Sequence, residues 1–385
     1  MLTVMENATK VFLGKRFKQY YWDNSIPAPS EVHKREFGFG TLDDKIKFRH
    51  KSFESREELQ AFLKRDAPYF ISYSAAYYEF PANQPMEAKN WLGADLIFDL
   101  DVDMKYLSRG RMEEMMRQAR AVVGFLENDF GLGRKDISVN FSGSKGYHIH
   151  VSNDDVKCLG GEERRRIVDY VTGSGLDLNA FMKSEDSAGG LTYVRGKPKF
   201  SEGVRVGPTA RSRGWAKRVF EVTRDFLNSS PEDMKSVRGV GDKTVGRLLK
   251  DRERNLEMIE QGRWDGMVDL GESLRDKIIS EKAVVIKDAD KQVTLDTARL
   301  IRLPESLHGG SGLKASVAKN LESFNPLVDA VAFKDEDVKI LFKNNVPKFD
   351  LMENRWGPYR ENTVEKVPEY AGVYLMLHGD CEVSQ

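Results

Sequence analysis

Apolar positions change period several times along the chain, and each change marks an element. Within 111–127, Met112, Met115, Met116, Ala119, Val122, Val123 and Leu126 recur at three- and four-residue spacing. That spacing predicts an amphipathic helix with a methionine-rich inner face. The run ADLIFDLDV (94–102) is apolar up to its acids and predicts a buried strand. DISVNFSG (136–143) and GYHIHVS (146–152) are β-type runs joined by a tight Ser-Lys-Gly turn, the pattern of a hairpin. Ser55 with Glu58 forms a capping-box pattern, opening a short helix that turns Leu59, Phe62 and Leu63 inward. Residues 162–171 and most of 216–285 are helical in pattern, the latter strongly charged. QVTLDTARLIRLP (292–304) then returns to strand-like residues. There is no internal repeat. The order predicts an α/β (α+β) core formed by 1–205 and 286–385, interrupted by a helical subdomain at 206–285.

A chain of 385 residues can bury a sizeable core, and at 60 basic and 60 acidic residues it carries no net charge. A uniformly basic coat is excluded, but a local basic groove is not. One stretch suits such a groove: 195–218 is rich in Gly, Arg and Lys, with Glu202 its only acid. It reads as a track for a template backbone or as a solvated loop. Two cysteines, Cys158 and Cys381, rule out a disulfide framework and predict a reducing, cytoplasmic setting. No apolar run approaches a membrane span, so no membrane association is expected.

Four clusters carry candidate chemistry. Asp99 and Asp101 stand two apart in a strand and so share a face. They are either a divalent-cation site, which would offset the cost of burying two like charges, or an acidic strand end open to water. Ser142-Gly143-Ser144-Lys145-Gly146-Tyr147-His148 reads as a phosphate cradle or as a hairpin turn with a core histidine. Its spacing is not that of a P-loop. Asp296, Arg302 and His308 offer a further carboxylate and two phosphate contacts, or a solvated strand and loop. VRGVGDKTVGRLL (237–249) has the look of a helix-hairpin-helix, whose turn offers backbone N–H groups to a DNA phosphate, or of a plain helix–helix turn.

Taken in order, Arg-Glu-Phe (35–37), FRHKSF (48–53), SAAYYEFP (74–81), FDLDVD, SGSKGYHIHV, LDTARLIRLPESLHGGSGL and VPEYAGVYLMLHG make the chain resemble the small, catalytic subunit of archaeal and eukaryotic DNA primases. The resemblance implies a primase core of mixed sheets, related to RNA-recognition modules, with a helical subdomain. It implies synthesis of short RNA or DNA primers on single-stranded DNA from nucleoside triphosphates; the alternative within the superfamily is a primase-polymerase or repair polymerase. It implies two Mg²⁺ or Mn²⁺ ions on Asp99, Asp101 and Asp296. Nucleotide contacts are implied from Ser142, Ser144, Lys145, His148, Arg302 and His308, with Arg35 close by. The implied partner is a large subunit bearing an iron–sulfur cluster. Two features depart from the family pattern. Residues 102–135 hold neither Cys nor His where many relatives carry a zinc knuckle, so no structural zinc is expected. Gly310 stands where relatives often have Lys, and Lys314 is the candidate to replace it.

Overall fold

The computed structural model describes residues 7–185, 191–194, 197–200, 204–264, 277–278, 286, 288–334 and 336–384. The basic stretch 195–218 therefore lies in part, at 195–196 and 201–203, outside the described residues. The chain forms two compact units. One comprises Met1–Val123, Leu132–Val168 and Asp288–Gln385, the other Gly124–Gly131 and Asp169–Lys287. The second unit thus starts earlier than the expected 206. Its short strands Lys183–Glu185 and Val204–Val206 pair with each other, and Leu191–Val194 pairs with Lys197–Phe200, so these residues satisfy their backbone groups within that unit. The fold is α+β, and every strand pair among the described residues is antiparallel.

Two sheets of the first unit position the site. In one, Gly146–Val151 lies between Leu96–Asp101 and Ile137–Phe141. The hairpin forms as its pattern predicts, with Phe141 opposite Tyr147. Because strand side chains alternate, one face carries Leu96, Phe98, Leu100, Tyr147, Ile149, Val151, Val139 and Phe141, all buried. The opposite face carries Asp99, His148 and Asn140 in one register row, and Asp101 beside Gly146 in the next. The helix Arg109–Asn128 buries the expected methionines 112, 115 and 116.

The other sheet runs in the order Leu300–Arg302, Phe70–Ser74, Phe37–Gly40, Phe48–Lys51. Ile301, Tyr73 and Phe37 are register partners and enter a core with Phe17, Tyr21, Leu59 and Leu63. Arg302, Ser72 and Gly38 form the alternate row and point the other way. The helix Arg56–Asp66 is capped as expected: Ser55 accepts from Glu58 N–H, while the Glu58 carboxylate accepts from Glu54 N–H, one residue before the cap.

The strand-like reading of 292–304 needs correction. Asp290 accepts a hydrogen bond from Gln292 N–H and caps a helical turn, Lys291–Leu295, leaving only Leu300–Arg302 as strand. Asp296 is the C-cap of that turn rather than a strand residue. Residues 288–290 instead lie along the first sheet, where Asp290 N–H donates to Asp99 O at 2.8 Å and Asp101 N–H to Asp288 O at 3.1 Å. No helix among the described residues is long and apolar enough to cross a membrane.

Candidate active site

The polar faces of both sheets border a cavity of about 460 Å³ in the first unit. Asp99, Asp101, Ser142, Ser144, Lys145, His148, Asp296, Arg302 and His308 all line it. Three stretches far apart in sequence are therefore brought together, and each arrives by a local device. The Asp pair comes from the strand's period of two. The 142–145 turn is closed by Ser142, whose hydroxyl oxygen accepts from Ser144 N–H (3.3 Å) and Gly146 N–H (3.2 Å). At Gly146 a Cβ would stand 1.9 Å from Leu100 O, so only glycine lets the strands approach. Gly143, at φ +79°, abuts the His308 side chain, and its carbonyl accepts a hydrogen bond from Ser311 Oγ–H. That contact ties the 308–313 loop onto the turn.

Electrostatics divide the cavity into an acidic wall and a basic one. Burial pushes the Asp99 carboxyl up to about 6, the nearby charge of Asp290 adds to this, and Arg299 opposes it. Burial also raises Asp101, with Lys145 opposing and Asp99 reinforcing. Lys145 Nζ lies 3.7 Å from Asp101 and His148 Nε2 lies 3.6 Å from Asp99. On the basic side, burial lowers Arg302 to about 10, so it stays charged at neutral pH. Its Nη1 is shielded from water and has no hydrogen-bond partner. Burial, with Arg302 adding, holds His148 down at about 3 and His308 well below the usual imidazole range. Both rings are neutral near pH 7. Gly310 N–H donates to His308 Nδ1 at 3.1 Å, which leaves the ring proton on Nε2 as a donor. Lys45, Arg49 and Arg299 bring the cations lining the cavity to five, against three carboxylates. Such a site suits a polyanion that also carries its own counter-cation.

A family model described as DNA primase small subunit matches residues 98–319. The chain is 35% identical to the DNA primase small subunit of Methanothrix thermoacetophila, over 98% of this chain and 100% of that one. It is also 35% identical to that of Archaeoglobus fulgidus, over 97% and 98%. The chain belongs to the DNA primase small subunit family. A solved structure, the polymerase domain of Mycobacterium tuberculosis Ligase D in complex with DNA, matches 55% of this chain and 83% of that one at 15% identity and TM-score 0.28, too low to bear on function.

Within this family member two expectations for individual residues change. Arg35 is not in the cavity. It is 1% exposed, pairs with Asp95 at 2.7 Å, donates to Ser74 O and Ala75 O, and stacks 3.5 Å from the Tyr77 ring centroid. Lys314, the candidate to replace the lysine missing at Gly310, is not among the residues lining the cavity. It lines a separate depression of about 320 Å³ with Glu305, Ser316, Lys319 and Asp329.

Further residues went unassigned in the sequence: Lys45, Arg49 and Arg299 at the cavity, Glu36 beside Arg49, and Asp290. Arg49 lines the cavity and is held by Glu36, which is fully buried, with Nε 3.0 Å from Oε1. Arg49 sits in FRHKSF, no member of which has a stated role, and Glu36 sits in Arg-Glu-Phe, where Arg35 alone has one. Asp290 was passed over because 292–304 read as strand. Its charge reaches Asp99, whereas the Asp296 carboxylate accepts from Ala298 N–H and makes its field felt at Tyr78. Among the described residues, no three or more His, Cys, Asp or Glu side chains stand close enough together to hold a metal ion.

Proposed function

We propose that this chain is the catalytic subunit of a DNA primase that joins nucleoside triphosphates into short primers on a single-stranded DNA template. The observation that carries this reading is the opposition, across one cavity, of the half-buried Asp99–Asp101 pair and Arg302 with its unpartnered buried donor. A buried donor without an acceptor points to a ligand that supplies one.

The acidic wall fits Mg²⁺ or Mn²⁺ in chemistry: carboxylate oxygens are hard donors, and an open arrangement leaves coordination positions to substrate phosphates. Asp99 and Asp101 would hold the ions. For the third carboxylate we favour Asp290 over Asp296, because its backbone is bonded to that of Asp99 and its charge is felt there. When bound, such ions act as Lewis acids on the attacking 3′-hydroxyl and the departing pyrophosphate. The chain's own residues bind and orient the triphosphate. Arg302 and Lys145 supply fixed positive charge, and His308 Nε2–H and neutral His148 supply hydrogen bonds. Ser142 keeps its hydroxyl proton free to donate, since its oxygen already holds the turn. Arg49 is held rigid by Glu36, so its contact costs little ordering entropy. A large subunit is the expected partner, on the strength of the relatives' designation as small subunits.

The test is labelled-nucleotide incorporation on an unprimed single strand. Asp101→Asn should abolish synthesis while DNA binding without nucleotide persists. Near-parental synthesis by this variant would refute the assignment. If the parent extends primed templates only, the repair-polymerase alternative takes its place.

A further inference from the structure

The nucleotidyl-transfer site lies wholly in the first unit and makes no use of the helix-hairpin-helix pattern at 237–249. In the second unit that pattern folds as Pro231–Lys235, a turn at 236–241, and Asp242–Lys250. Met234, Val237, Val240, Val245 and Leu248 are buried, so the apolar positions turn inward and the polar ones outward. On the second helix Lys243, Arg247 and Lys250 recur at i, i+4 and i+7 and are exposed on one face. Arg238, in the turn, is exposed as well. No carboxylate partners any of these four cations among the described residues. The nearest acid in sequence, Asp242, is paired with Lys235. Gly246 sits within the basic face, and a Cβ there would meet nothing within 4 Å. The first turn of this helix has no side-chain cap, leaving backbone N–H groups open.

We propose that this face binds a DNA backbone without reading its sequence. Lys243 to Lys250 spans about 10 Å along the helix, the axial length of about three phosphates on one strand. Unpaired cations at this spacing complement a polyanion, and the exposed glycines at 239, 241 and 246 remove side-chain bulk from the approach. Large apolar or aromatic groups for gripping bases are absent from the face apart from Leu249, so contacts fall on phosphates.

Binding is measured by fluorescence anisotropy with labelled oligonucleotides of two unrelated sequences, without nucleotide, across a salt series. That readout does not depend on synthesis, so the primase reading can fail while this one stands. The double variant Lys243→Glu, Arg247→Glu should bind several-fold more weakly at low salt. Its plot of log affinity against log salt should be shallower by about two units, because each lost phosphate contact removes about 0.9. Gly246 gives a test that a folding defect cannot mimic. Gly246→Glu should weaken binding and Gly246→Lys should tighten it, for both oligonucleotides alike. Parental affinity and salt slope in the double variant would overturn the proposal. So would Glu and Lys at 246 shifting affinity in the same direction, or an effect confined to one sequence.

Discussion

Arg35 and Arg49 carry the same guanidinium into different roles, and burial decides which. Arg35 is sealed against Asp95, with the carbonyls of Ser30, Ser74 and Ala75 accepting other guanidinium protons. Arg49 is held by buried Glu36 through Nε at 3.0 Å and Nη2 at 3.5 Å, and its head lines the cavity. Removing Arg35 strands the Asp95 charge in the interior, and breaking a buried pair this way costs about 3–5 kcal/mol. Arg35→Ala should therefore lower the urea midpoint by that equivalent. A loss below about 1 kcal/mol would mean the pair is more hydrated than its geometry implies. The two candidate third acids separate at the same scale. Asp290→Asn should cut nucleotide incorporation at least about 10-fold, within the range seen when groups supporting a metal site are lost. Asp296→Asn should stay within about threefold of the parent, since the charge felt at Asp99 is that of Asp290 and not that of Asp296. A reversed order would return the third place to Asp296.

At the scale of elements, the hairpin carrying Ser142–His148 depends on the close approach at Gly146. Gly146→Ala puts a methyl into the carbonyl of Leu100, with backbone atoms of Leu100 and Asp101 at or within about 3.0 Å. Backbone cannot rotate aside as a side chain can, so the strands must part. The cost is of the order of 1–3 kcal/mol, and Asp101 moves away from Lys145. Urea unfolding and nucleotide incorporation should both fall, and unchanged incorporation would mean that the Asp101–Lys145 spacing is not needed. What was legible in the sequence follows the same logic. The hairpin, the methionine-faced helix and the Ser55 cap are set by neighbours within a few residues, and periodicity records them. The turn at 291–295 escaped because one capping acid, Asp290, outweighed a run of β-favouring residues. Arg35 was misread because its partner is 60 residues away, and Lys314 because its distance from the cavity is set by the fold of the 308–313 loop. All residues lining the cavity except Lys45, Ile46 and Ser72 sit in the motifs, whereas Arg35 sits in a motif but lies outside the cavity. The pairing of Glu36 with Arg49, and of Asp290 with Asp99, depends on strand register that no local pattern encodes.

The whole first unit shares one vulnerability, which comes from its aromatic core rather than its site. Tyr20, Tyr21, Tyr73, Tyr147 and Tyr374 are all buried there, and burial raises each phenol far above its ordinary value. The Cys381 thiol, on the terminal strand Cys381–Val383, is raised by burial too, with Asp380 and Glu382 adding. The sign of the linkage is fixed by which state keeps the proton. Above about pH 10 an unfolded chain ionises its tyrosines, whereas the folded unit holds these five neutral. The folded state then binds more protons, so stability falls as pH rises. Each group contributes up to about 1.4 kcal/mol per pH unit, and five phenols with one thiol give about 8 kcal/mol per unit. A domain stability of about 5–15 kcal/mol is exhausted within one or two units at that slope. The unit should therefore unfold cooperatively between about pH 11 and 12, with tyrosinate absorbance and loss of circular dichroism sharing one midpoint. Cys381 should become reactive to a thiol reagent at that same midpoint, whereas exposed Cys158 reacts from the start. If the phenols instead ionise gradually with circular dichroism intact, water reaches them in the folded state and the core is looser than its packing indicates.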